Sequence, residues 1–117
     1  MIPDFSRFIY NGCKKGHCTD NDICRMAAFL VQDGKCYVSG VPLLENHRHL
    51  HHRLPRQHGG EDTSDNLVYL DSTIHLMVHT DDFSLFCELL RKVCLNERQL
   101  HLLNQLRHEA HNKPMGM

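Results

Sequence analysis

Apolar residues at Ile23, Met26, Ala27 and Leu30 recur at helical spacing and predict an N-terminal helix. Thr19 is placed to cap it, with Asp20 and Asp22 near the positive end of its dipole, and Asp33-Gly34 stops it. Ahead of that helix, residues 1–12 read as a loose lead-in with an apolar anchor at Phe5, Phe8 or Ile9. Gly12 and Gly16 then make a loop of residues 13–18. Behind the helix, residues 36–40 read as a short strand and tight turn. Residues 47–54, ended by Pro55, form the first arm of a hairpin, and 67–70 its return strand. The stretch 57–66 between them holds Gly59-Gly60 and other turn formers without one apolar residue, so it is loop. Asp71 or Ser72 then caps a helix that runs to about His79.

Past Thr80 the pattern is helical only. Phe83, Phe86, Cys87, Leu90 and Cys94 fall on one stripe, which places both cysteines in the core. Asn96 with Gln99 makes a capping pair for a last helix whose buried side is Leu100, Leu103, Leu106 and Ala110. The final seven residues read as a frayed tail. The expected fold is a small α+β domain over residues 1–117, with a core motif at about 35–80 and a helical extension at about 81–111.

Composition changes this picture little. A hydrophobic content of 41% over 117 residues supports a core. Six cysteines come without a signal-like leader or any membrane-length apolar run, so reduced thiols and a cytoplasmic setting are expected. Cys13, His17, Cys18, Cys24 and Cys36 raise the alternative of a structural zinc, but their spacing is irregular and cysteine also packs as a small apolar residue. A formal charge of −1 argues against diffuse nucleic-acid binding. Yet residues 47–58 carry Arg48, Arg53 and Arg56 with five histidines and no acid, a local stripe suited to gripping phosphate. Arg48 reads as a solvated charge; Arg53 and Arg56 are the candidate phosphate contacts.

The histidines carry the chemistry. His75 and His79 lie one helical turn apart and so converge on one point, an arrangement that holds a transition metal. His51 and His52 are adjacent on a strand and point to opposite faces, so one can bind metal while its neighbour meets water. His49 shares the face of His51 and competes for the ligand role.

A strand, loop, strand and helix bearing His51-His52, Gly59-Gly60, Asn66 and His75-x-x-x-His79 resembles the HNH, or His-Me finger, nucleases, whose ββα-metal motif hydrolyses phosphodiester bonds with one divalent ion. The resemblance implies His51, His75 and His79 as ligands, His52 as general base and Asn66 as the residue that holds the base in position. Magnesium or manganese is implied for turnover, and three imidazoles favour zinc or nickel as purified. Stretches 36–43, 49–70, 74–80 and 95–107 are further similar to the C-terminal endonuclease domain of group II intron-encoded reverse transcriptase/maturase proteins, over about residues 35–110. That domain nicks one strand of target DNA. Double-stranded DNA is therefore the expected partner, with a maturase region or intron RNA if the chain belongs to a larger system.

Two departures qualify the likeness. No reverse transcriptase or maturase stretch is present, so an excised domain or freestanding relative is expected. The Cys-x-x-Cys pairs that hold a structural zinc in many HNH domains read here Cys36/Ser39 and Asp71/Ile74, so packing must replace that zinc. The alternative function is a non-catalytic nucleic-acid-binding module with the finger as a structural metal site. An enzyme acting on RNA or a nucleotide is a weaker rival.

Overall fold

The computed structural model describes residues 20–115. The expected lead-in, the loop with Cys13, His17 and Cys18, and the Thr19 cap lie outside them. In chain order the elements are α1 (Asp20–Val31), β1 (Arg48–His52), β2 (Leu67–Asp71), α2 (Ser72–His79), α3 (Phe83–Val93) and α4 (Glu97–Glu109). Single 3-10 turns sit at Glu45–His47 and Arg56–His58. Among the described residues this is a small α+β domain of four α-helices on a two-stranded antiparallel sheet.

Strand β2 is the element the others pack on. Leu67 and Tyr69 meet Ala28 and Phe29 of α1 on one face, with the Phe29 and Tyr69 rings edge to face at 5.4 Å. Val68 and Leu70 meet Ile74, Met77, Phe86, Leu103 and Leu106 on the other. Each such buried side chain contributes roughly 1.5–3 kcal/mol over leaving it exposed, which is why β2 is apolar at four successive positions instead of alternating. Strand β1 pairs with one edge of β2, with His51 opposite Val68 and His52 opposite Leu67. The other edge is closed at Tyr69 by the Gln32 side-chain amide, which donates to its carbonyl and accepts from its N–H at 2.8 Å each.

Three expectations need correction. Helix α1 has the expected period in a different phase: Ala28 and Phe29 are buried, while Ile23 and Leu30 are exposed, because Phe29 is the residue that reaches Tyr69. Residues 36–40 make a turn between single bridging residues, Lys35 and Pro42, and no strand. The α3 stripe runs through Phe86, Leu89, Leu90 and Val93. Phe83 is exposed, and Cys94 is exposed in the left-handed conformation that ends the helix (φ 51°), so the chain leaves the stripe before reaching it.

The tail is also held in place up to Met115, the last described residue. Asn104 bonds both the N–H and the carbonyl of Met115, Asn112 donates to Val78 O, and Arg107 donates to Lys113 O. At the positions Cys36/Ser39 and Asp71/Ile74, Cys36 and Ile74 are buried, and the Asp71 N–H reaches Cys36 Sγ at 3.4 Å. The Asn96/Gln99 capping box is present on α4.

Candidate metal centre and the cleft beside it

In an antiparallel pair, residues directly opposite share a face, so His51 follows Val68 toward α2 while His52 follows Leu67 to the other side. Asp71 ends β2 and caps α2, its carboxylate accepting from Thr73 N at 2.9 Å. Strand thus passes into helix without a linker, and His75 and His79 project over β1. The three rings converge. His79 Nε2 lies 3.3 Å from His51 Nδ1 and 3.1 Å from His75 Nε2, and the three donor atoms fall within 4.8 Å of one another.

These residues could hold one metal ion. Four nitrogens about 2.05 Å from zinc stand about 3.3 Å apart at the edges of a tetrahedron, close to both measured separations. A ring nitrogen offers one hydrogen or one lone pair, so His79 Nε2 cannot bond fully to both neighbours, whereas three lone pairs can all serve one cation. Burial and mutual repulsion keep the rings neutral. Desolvation first, then His79 and His75, lowers His51 to about 3; desolvation, then His79 and His49, lowers His75 to about 4; desolvation, then Arg107, lowers His79. His51 is 2% exposed and its Nε2 is buried without a hydrogen-bond partner. His49, the competing ligand, lies outside the trio and stacks on His75 at 5.0 Å.

Beside the trio is a cleft of about 440 Å³ lined by His51, His52, Arg56, His75 and His79, with Leu50 and Pro55 among its apolar walls. His52 therefore borders the same space as the three candidate ligands. Its Nε2 stands 2.6 Å from Asp62 Oδ1. Asp62 also accepts from Arg56 Nη2 on both oxygens, at 2.8 and 2.7 Å, and these partners, His52 before Arg56, hold its carboxyl below the ordinary value of 3.8. The loop between the strands is shaped by two glycines. Gly59 takes φ 91°, and a Cβ on Gly60 would overlap the Leu54 carbonyl.

The other expected site residues fall differently. Asn66 does not reach His52. Its amide spans the loop, accepting from Leu54 N at 2.8 Å and donating to Leu54 O at 3.2 Å and Glu61 O at 2.9 Å. Arg53 Nε donates to Glu109 at 3.1 Å and its guanidinium lies over the Tyr37 ring, which ties the end of β1 to α4. Arg56 is exposed, with its Nη2 on both oxygens of Asp62.

Two residues went unread in the sequence. Asp62 is one of several acids in a loop, and only the fold shows which one meets His52. Arg107 looks like a surface residue of α4, yet it is fully buried and donates to Met77, Val78 and Thr80 carbonyls at the end of α2. Comparison with known proteins returned no matching family model, curated protein or solved structure.

Proposed function

We propose that the chain is a metal-dependent nuclease of the HNH type, with a ββα-metal core at residues 48–79, that nicks double-stranded DNA to leave 5′-phosphate and 3′-hydroxyl ends. The observation that carries this reading is the meeting of three ligand-ready imidazoles with a fourth, His52, on the border of one cleft. His51, His75 and His79 hold the ion. Magnesium or manganese supports turnover, and zinc or nickel binds the three imidazoles more tightly. When bound, the ion supplies Lewis-acid stabilisation of charge on the scissile phosphate and the departing 3′-oxygen.

His52 is the general base. A neutral imidazole keeps one ring nitrogen without hydrogen, so it can take a proton from the attacking water without first losing one. Its neighbour His51 is committed to the opposite face of the strand, so the two adjacent rings have separate tasks. A purely structural metal site has no use for a fourth imidazole in the cleft, and this favours the enzyme over the non-catalytic binding module. The Arg53–Glu109 pair leaves Arg53 a structural part, joining the base-bearing strand to the last helix.

The test is nicking of supercoiled plasmid by the whole chain with magnesium or manganese, alongside His52→Ala, His79→Ala and a chelator control. Open circles are expected from the wild type alone, with a loss of about 10²-fold or more for His52→Ala. Equal nicking by His52→Ala, or none by the wild type with either ion, would refute the reading.

A further inference from the structure

We propose that Asp62, gripped by Arg56, is a positioning residue that fixes the ring of His52 and decides which of its nitrogens carries the hydrogen. The proposal rests on the nuclease reading above. An ionised carboxylate only accepts, so a 2.6 Å contact between Asp62 Oδ1 and His52 Nε2 places the hydrogen on Nε2. The lone pair is then on Nδ1, the nitrogen left to accept a proton from water. Arg56 Nε lies 3.3 Å from the same Nε2, but a nitrogen bearing hydrogen does not accept, so the main hold of Arg56 is on the carboxylate. Arg56 Nη2 alone spans both oxygens of Asp62, a charge-assisted contact that holds the carboxylate in place.

The loop that bears Asp62 is held to match. Asn66 donates to the Glu61 carbonyl, one peptide before Asp62, and its other bonds pin Leu54, two residues after His52. Asn66 therefore acts on the base through Asp62 and the loop backbone, without touching the ring. Arg56 belongs to the same assembly. Its task there is to hold Asp62.

The experiment uses the whole chain and three readouts: long-range nitrogen–proton NMR of the His52 ring, steady-state nicking, and nickel titration of the histidine trio. In the wild type the ring hydrogen is expected on Nε2. Asp62→Ala is expected to mix the two ring forms and lower kcat about 10²-fold, with KM and nickel affinity within about twofold. Asp62→Asn, nearly isosteric, covers a folding failure of the alanine variant: its amide can donate to Nε2, moving the hydrogen to Nδ1 and abolishing turnover. Asp62→Glu should restore part of the rate. Arg56→Ala should lose about tenfold in kcat, because the Asp62 carboxylate then loses the charge-assisted contacts that hold it.

If the ring form and kcat of Asp62→Ala and Asp62→Asn match those of an active wild type, the positioning role is overturned while the nuclease reading stands. If the wild type holds its hydrogen on Nε2 and binds nickel but cuts no DNA, the nuclease reading fails and takes the catalytic role of Asp62 with it.

Discussion

Replacing Arg107 with alanine should loosen the candidate metal centre without touching a ligand. Its Nη1 donates to the Met77, Val78 and Thr80 carbonyls at 2.7, 3.1 and 2.8 Å, and its Nε donates to Lys113 O at 2.6 Å. Those first three acceptors are at the end of α2, where intrahelical donors run out and a cation is favoured by the helix dipole. Asn112 still serves Val78 O in the variant, at 2.9 Å. Met77 and Thr80 lose their guanidinium partner, at about 1–3 kcal/mol for each buried carbonyl left unmet. The cavity beneath the Phe86 ring, over which the guanidinium lies at 5.5 Å, adds to this. Burial disfavours the charged guanidinium, and its removal relieves that cost. The net loss should be about 3 kcal/mol, or roughly 12 °C in melting midpoint for a domain of this size. The assay is a circular-dichroism melt, followed by nickel titration, in which frayed placement of His79 should weaken affinity. A loss under about 1 kcal/mol would refute the reasoning; Arg107→Lys, with a point charge for a fork, should fall between.

Nickel at about 100 times its Kd should stabilise the wild type by about 2.7 kcal/mol, and equal stabilisation of His79→Ala would place the ion elsewhere. Asn66→Ala should cost about 1–2 kcal/mol in a urea melt and slow nicking, since two loop anchors on Leu54 and one on Glu61 are lost. The Asp62 carboxyl sits below its ordinary 3.8 because His52 and Arg56 favour its charged form. Its stabilisation is therefore complete above that value and fades as pH falls through the lower folded value, so wild-type and Asp62→Asn melting curves should converge in acid. Convergence on the alkaline side instead would reverse the assigned sign. Cys94→Gly should raise the unfolding free energy slightly, by up to about 1 kcal/mol in a urea melt, because Cys94 ends α3 at φ 51°; a fall would show that its side chain matters more than its backbone.

The hairpin, the α2 cap and the His75/His79 pair were legible in the sequence because each is a local signal: a turn-rich loop without apolar residues, a capping acid, or a four-residue spacing. The phase of α1 was not, since only the Tyr69 ring across the sheet decides that Phe29 is inward. The α3 stripe was extended one step too far for a similar reason, as periodicity carries no mark of where Cys94 turns left-handed. The acids that meet Arg53 and Arg56 were not legible either, because Glu109 and Asp62 stand 56 and 6 residues away. Charge counted along a chain says nothing about who stands opposite. Arg107 and Asn104 show the same limit from inside, as polar groups buried to tie down carbonyls and a tail that no spacing rule foretells.

The single residue shared by the end of β2 and the cap of α2 makes two neighbouring regions unequal before evolution. One amino acid inserted at Asp71 would rotate the helix by about 100° and carry His75 and His79 away from His51, though strand and helix could both still form. The stretch 53–66 has no such gearing: Arg53 N already closes on Asn66 O at 2.8 Å, and a longer excursion between them adds little closure entropy. Descendants of this scaffold can thus lengthen the excursion and change what it grips, while the hinge-free joint has to keep its residue count.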